Sequence, residues 1–362
     1  MTSERLPSLD LLRGGAAFGV AIPHLLLFAR PDNIILEAVA SLGVEVFFVL
    51  SGYVLAPQIM RCFLQPRDLG VFLRRRWLRT VPPYLLALIC VSLVTGKLGS
   101  DDFLRYAVYG QNLLWQANGT DYFSIAWSLS VEEWFYCVFP LVLIASHLWG
   151  QPSKRRAIHV AIGFILTITV LRTVFGNYDL WGEEVRRVVI FRIDAIAFGF
   201  LLHLLPHRVS LTKALIAFAG SLIVSAAALA VIIVYGEDWA KALFPIAAAA
   251  FGASAIMLAL CSDKALASSR PLSFLSTWLG RISFSVYLFH QIITMLLVDR
   301  MTMGYPIRLA ICLVATIAFA VAFYVLFEKP ILDARPRYRL RTSAAGTSAS
   351  GASKLSGTSA AE

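Results

Sequence analysis

Long apolar runs dominate the chain, and short stretches rich in charged or polar residues separate them. A helix needs roughly 20 apolar residues to cross the hydrocarbon core of a bilayer, which is about 30 Å thick. This pattern predicts an all-α fold, a polytopic bundle of about ten transmembrane helices. The predicted spans are 9–29, 36–57, 80–97, 124–147, 157–176, 188–206, 213–235, 240–262, 282–299 and 306–327.

The composition indicates that lipid is the solvent for most of the chain. Of the 362 residues, 58% are hydrophobic and only 15% are charged, and the mean hydropathy is +0.73. A soluble domain needs more charge to cover its surface. We therefore expect one membrane domain over residues 1–341. Residues 342–362 are too small and polar to pack, which predicts a disordered, low-complexity cytoplasmic tail.

The net charge of +10 lies mostly between the apolar spans. The majority of the Lys and Arg residues fall on the face that also carries both chain ends, so the positive-inside rule predicts cytoplasmic termini. This distribution favours membrane lipid as a partner and argues against nucleic acid. The first span contains Asp10 and Arg13 and has no small-residue cleavage site after it, so we expect a retained helix.

The five cysteines lie within or beside apolar segments and form no CxxC pair. Such positions are typical of small buried hydrophobic residues. The sequence therefore predicts neither a disulfide framework nor a bound metal.

The first span places Asp10, Arg13 and His24 on a single predicted helix. Charged side chains inside a membrane cost several kcal/mol, so these residues should face the interior of the bundle. With a rise of 1.5 Å per residue, His24 lies about 16 Å from Arg13, in the middle or outer half of the membrane. Pro23 directly before His24 can bend the helix there.

The spacing of Arg13 and His24 resembles the first helix of the acyltransferase-3 family of membrane acyltransferases. Five further stretches resemble motifs of that family, in the family's order, between about residue 8 and Pro330. They are FFxxSG at Phe47, Phe48, Ser51 and Gly52, RxxR at Arg76 and Arg79, AWSLSVEEWFYCVFP with Glu132 and Glu133, FRIDAIAFGFLL with Arg192 and Asp194, and GRISFSVYLFH ending in His290. Gly15 departs from the usual aliphatic residue or Ala, and we expect no hydrolase-like domain after the membrane domain.

The resemblance implies a bacterial inner-membrane enzyme that moves an acetyl or other short acyl group from acyl-CoA to a hydroxyl of a cell-envelope or extracellular glycan. Acyl-CoA is then a donor substrate and not a permanently bound cofactor. Such a transfer needs a base for the alcohol proton and stabilisation of an oxyanion. We expect His24 to be the base, in a catalytic group with Glu132, Arg13 and Asp10.

Glu132 and Glu133 lie about 12 Å into the fourth predicted span from its outer end, close to the depth of His24. One carboxylate could orient the imidazole, as in a catalytic triad. Adjacent residues of a helix face about 100° apart, so we expect Glu132 alone to point at the catalytic group. The alternative is an ion pair with Arg192 or Arg13 that only neutralises a buried charge.

We expect the acceptor to be bound by Arg192, Asp194, Glu133 and His290, all of which lie within predicted spans. Polar side chains at that depth can hydrogen-bond a sugar hydroxyl. A structural ion pair explains Arg192 and Asp194 equally well, and a hydrogen-bonded core histidine explains His290.

We expect the acyl-CoA donor to be bound by Arg75, Arg76 and Arg79, together with Ser51. Coenzyme A is polyanionic at its nucleotide end, and the guanidinium group binds phosphate through two parallel hydrogen bonds. Ordinary positive-inside anchoring and attraction to anionic lipid are the competing explanation for these arginines.

Two other classes of protein also place ionisable residues inside a membrane. A transporter or flippase for a polar or lipid-linked substrate is the main alternative, and a non-catalytic sensor module is the second. The order of the six motifs favours the enzyme over both. The residues do not identify the acceptor or choose between acetyl and longer acyl donors. They also leave open whether transfer occurs in a ternary complex or through an acyl-enzyme, and which oligomeric state the protein has.

Overall fold

The computed structural model describes residues 6–30, 33–114, 122–206, 209–336 and 338. Within these ranges the chain is helical and contains no strand, which confirms the all-α prediction. The helices are α1 (Pro7–Leu27), α2 (Ile34–Leu64), α3 (Leu69–Thr95), α4 (Asp101–Ala107), α5 (Ala126–Ala145), α6 (Lys154–Phe175), α7 (Asp194–Leu204), α8 (Leu211–Tyr235), α9 (Asp238–Ser268), α10 (Arg270–Leu297), α11 (Tyr305–Phe323) and α12 (Lys329–Asp333).

Nine helices in the described ranges are long and apolar enough to cross a membrane: α1, α2, α3, α5, α6, α8, α9, α10 and α11. They correspond to nine of the ten predicted spans, so the chain is a multi-pass membrane protein. The predicted tail, 342–362, lies outside the described residues.

The prediction that 188–206 forms one continuous helix is wrong. The first part of this range forms a 3₁₀ turn, Val189–Phe191, and only eleven residues form α7. Eleven residues rise about 16 Å, roughly half of a bilayer core. The backbone N–H groups of Val189 and Ile190 donate instead to the carbonyls of Asn112 and Leu113. Non-helical backbone is tolerated at membrane depth where protein satisfies its hydrogen bonds.

The short helix α7 packs very closely against α2, which lies at the centre of the bundle. A Cβ atom on Gly52 would lie 1.9 Å from the Ile196 carbonyl oxygen, and one on Gly199 would lie 1.8 Å from the Val49 carbonyl oxygen. Any larger residue at either glycine therefore clashes with backbone, as at other close helix crossings in membranes.

Helices α1, α3 and α5 pack against α2, and together with α10 these helices bring the polar motifs to one cavity. Helix α8 lies at the periphery, since only Ala214 and Ser225 of its 25 residues are buried. Its exposed Ile and Val side chains face the lipid in the predicted topology.

Candidate active site

A cavity of about 140 Å³ opens between α1, α2, α3, α5 and α10, and we call it the inner cavity. Its polar lining consists of Arg13, Ser51, Arg76, Arg79, Glu132 and Tyr136, with Thr80, Ser128 and Ser283. Arg76 and Arg79 reach the same cavity because residues three apart lie on one face of a helix. The structure thus brings together residues from five separate stretches of sequence.

Glu132 is fixed on the cavity wall by a short chain of hydroxyl groups. The Tyr136 hydroxyl donates to Glu132 Oε2 at 3.1 Å, one helical turn away. Because a phenol has one proton, the hydroxyl of Ser51, 2.7 Å from that of Tyr136, must donate to it. Ser51 therefore supports Glu132 through Tyr136.

Glu133 points away from the cavity, as the 100° step between neighbouring residues requires. It is buried and accepts a hydrogen bond from the Thr80 hydroxyl. The structure therefore places Glu132 on the cavity wall and Glu133 in the packing between α3 and α5.

A second cavity, the outer cavity, is lined by His24, Glu37, Ser41, Trp127, Arg186 and Arg187, among others. Val44 and Tyr287 line both cavities. The buried Tyr287 ring packs edge-on against Phe47, and its hydroxyl lies 2.5 Å from that of Ser128. Val44 and Tyr287 therefore form the common wall between the cavities.

His24 is paired with His290 and not with Glu132. His24 Nδ1 lies 2.9 Å from His290 Nε2, and the two rings stack with centroids 5.2 Å apart. Glu132 lines the inner cavity, whereas His24 lines the outer one. The predicted arrangement in which a carboxylate orients the imidazole is therefore replaced by a second histidine.

The hydrogen bonds of His290 determine the tautomers of both rings in their neutral forms. His290 Nδ1 lies 2.7 Å from the Tyr287 carbonyl and 3.1 Å from the Val286 carbonyl, and a carbonyl can only accept. His290 Nδ1 must carry the proton, so its Nε2 accepts from His24 Nδ1–H. His24 Nε2 then keeps its lone pair, and it makes no hydrogen bond with any described residue.

Arg192 and Asp194 lie away from both cavities. Arg192 donates to Glu45, and Arg172 donates to both oxygens of Asp194 at 3.2 Å. All four side chains are buried. Arg192 and Asp194 are therefore paired as the structural alternative expected, because each charge needs an opposite charge in the apolar interior.

Asp10 and Arg75 lie just outside the inner cavity. Asp10 is buried and lies 3.9 Å from Arg13, so it positions that guanidinium group. Arg75 donates through Nη1 to the carbonyl of Pro336 at 2.6 Å.

Several residues of the two cavities were not assigned from the sequence. Tyr136 and Tyr287 stand inside the motifs quoted above, so their positions were a usable signal. Arg186 and Arg187 entered the sequence analysis only as positive charges between predicted spans, in the comparison of the two membrane faces. Outside the cavities, Glu45 also went unassigned; an acidic residue within an apolar span is itself a signal of a buried partner.

Comparison with known proteins identifies the family of the chain. The family model described as an acyltransferase domain, Acyl_transf_3, matches residues 6–325. O-acetyltransferase OatA from Staphylococcus aureus strains NCTC 8325 / PS 47 and COL is 30% identical over 199 residues. The alignment covers 50% of this chain and only 31% of each relative. No solved structure matches the chain.

Proposed function

The chain belongs to the acyltransferase-3 family, and from that premise we propose that it is a membrane O-acyltransferase that moves an acetyl group from acetyl-CoA to a glycan hydroxyl. One observation carries the proposal: an arginine-lined cavity and a histidine-lined cavity meet at the wall formed by Val44 and Tyr287. Two substrates can thus approach from opposite sides. The name of the relatives, O-acetyltransferase, supports acetyl as the transferred group.

The inner cavity fits the donor. Arg13, Arg76 and Arg79 line it, and guanidinium groups bind phosphate through charge-assisted hydrogen bonds. The Nε atom of Arg76 is buried without a hydrogen-bond partner among the described residues, so it has donor capacity for a ligand. The pantetheine arm would extend past Glu132 and Ser128 toward Tyr287.

The outer cavity fits a polar acceptor. In its wall Arg186 donates to the Ser41 hydroxyl, and Arg187 and Glu37 add groups that can donate and accept hydrogen bonds. A sugar presents hydroxyl groups that both donate and accept, which matches this mixed lining. The acceptor hydroxyl would lie against His24 Nε2.

His24 is the base in this reaction. Its Nε2 lone pair removes the hydroxyl proton as the oxygen attacks the thioester carbonyl carbon, forming the new C–O bond. The C–S bond breaks and coenzyme A leaves as a thiolate, which the protonated His24 can neutralise by returning the proton. His290 fixes the tautomer of His24 and accepts its Nδ1–H while His24 carries the positive charge.

The membrane, in this proposal, is the inner membrane of a bacterium, with the arginine cluster on the cytoplasmic side. The positive-inside distribution supports that orientation. It places the donor where acyl-CoA is made and the acceptor on the cell-envelope side.

The test uses purified protein in proteoliposomes with radiolabelled acetyl-CoA and a cell-envelope extract. We expect label to appear in a glycan fraction with release of free coenzyme A. A transporter or flippase would move its substrate without consuming the thioester. Absence of labelled glycan together with intact acetyl-CoA would contradict the proposal.

A further inference from the structure

Arg335, Pro336 and Tyr338, described residues that follow α12 and that we call the C-terminal segment, lie against the arginines of α3. It lies beyond residues 6–325, the part of the chain that the family model matches. The Pro336 carbonyl accepts a hydrogen bond from Arg75 Nη1 at 2.6 Å, and the Tyr338 hydroxyl donates to Gln58 Oε1 at 3.3 Å. These contacts attach the segment to both α2 and α3.

The ring of Tyr338 is fixed by two guanidinium groups. The Cζ atom of Arg61 lies 4.4 Å from the ring centroid and that of Arg75 lies 5.3 Å from it, distances at which cations attract an aromatic face. Arg61 is itself held by Asp68, with Nε 2.6 Å from the carboxylate. Burial raises the pKa of Tyr338 to about 12, so its hydroxyl stays protonated and donates to Gln58.

Arg335 directly precedes Pro336, whose carbonyl accepts from Arg75, and its own Nε donates to the Leu332 carbonyl at 2.9 Å, so the contacts of the segment hold Arg335 beside the arginines of α3. Burial, and then the charges of Arg79, Arg76 and Arg75, lower the pKa of Arg335 to about 10. In the described part of the chain none of these four arginines forms an ion pair with a carboxylate. Four guanidinium groups that repel one another are stabilised by an anion placed among them.

The buried hydrogen-bond donors of the cluster point to the same ligand class. The Nε atoms of Arg75 and Arg76 are buried and make no hydrogen bond within the described residues. Leaving such donors unsatisfied costs free energy, whereas phosphate oxygens can accept from several of them at once. Because Arg76 and Arg79 also line the inner cavity, the anion would lie at its entrance.

We infer that Arg335, positioned by Tyr338, binds the phosphate groups at the nucleotide end of the acyl-CoA donor, so that the C-terminal segment completes the donor site. The identity of the donor rests on the function proposed above. An anionic lipid headgroup presents the same phosphate chemistry, and the connection to the inner cavity favours the donor.

The first experiment compares two donors, acetyl-CoA and S-acetylpantetheine, which carries the thioester but no nucleotide phosphates. Loss of one charge-assisted hydrogen bond weakens binding affinity by roughly tenfold or more. We expect Arg335→Gln to raise the KM for acetyl-CoA and to lower the ratio of kcat/KM for acetyl-CoA to that for S-acetylpantetheine by that factor. Tyr338→Ala should lower the ratio in the same direction, by releasing the segment.

Lys329→Gln is the matched control. It removes one positive charge six residues earlier, from an exposed side chain that pairs with exposed Asp333. We expect it to leave the ratio unchanged. An unchanged ratio in Arg335→Gln, or an equal fall in Lys329→Gln, would overturn the inference.

A second measurement separates this inference from the proposed function. Calorimetry measures coenzyme A binding in nanodiscs of phosphatidylcholine, with and without phosphatidylglycerol. Weaker coenzyme A binding by Arg335→Gln in neutral nanodiscs supports the inference even if acetyl transfer fails. If the variant instead loses phosphatidylglycerol binding and retains coenzyme A binding, lipid is the ligand and the inference is wrong. Wild-type protein that transfers acetyl groups while Arg335→Gln binds coenzyme A normally overturns the inference alone.

Discussion

The inner and outer cavities differ in the kind of charge that lines them. Three arginines and one glutamate line the inner cavity, whereas the outer cavity has a histidine beside two arginines and a glutamate. Arginine stays charged under all ordinary conditions, while a neutral imidazole has a lone pair that can accept a proton. In the function proposed above, the inner cavity therefore holds the anionic donor and the outer one moves the proton.

The largest expected effect comes from removing the proposed base of the outer cavity. His24→Ala should lower kcat by about a thousandfold, within the range of general base catalysis. The KM for acetyl-CoA should change little, since His24 does not line the inner cavity. The measurement is steady-state acetyl transfer in proteoliposomes. The control is His159→Ala, which changes an exposed histidine of α6. Equal activity of the two variants would contradict the proposal that His24 is the base.

The second effect belongs to the inner cavity. Arg76→Gln should lower kcat/KM for acetyl-CoA by up to about a hundredfold, mainly through KM, because it removes hydrogen bonds to a charged ligand. Arg74→Gln removes the same charge from an exposed neighbour that does not line the cavity. If both variants behave alike, the arginines act through general charge at the membrane surface and not through a binding site.

A smaller effect is expected at His290, which contacts His24 but does not itself line either cavity. His290→Leu should lower kcat by roughly tenfold, because part of the His24 population then takes the tautomer with Nε2 protonated. The pH profile of kcat should shift while the KM for acetyl-CoA stays constant. An unchanged pH profile would indicate that His290 has only a packing role.

The smallest effect on activity is expected at the buried ion pairs outside both cavities. Arg192→Leu leaves Glu45 buried without its partner and should destabilise the fold by about 3–5 kcal/mol. The double variant Arg192→Leu/Glu45→Leu removes both charges and should recover most of the thermal stability. Its kcat/KM per folded molecule should match that of the wild type. A large loss of activity in the stable double variant would show that Arg192 contacts substrate.

The sequence by itself determined the all-helical membrane fold, the motif order and the residue types of the site. Span prediction succeeded for nine helices because hydropathy over 20 residues is a local property. The same reasoning failed for 188–206, where hydrogen bonds from Val189 and Ile190 to the segment near Asn112 replace helical ones.

Only the tertiary structure decided which charged and polar side chains meet. His24 and His290 are 266 residues apart, and Arg192 and Glu45 are 147 apart, so no periodicity of one helix could indicate either pair. Such pairs form because buried polar groups must satisfy one another wherever the packing of the helices brings them together. The division of the motif residues between two cavities follows from that packing.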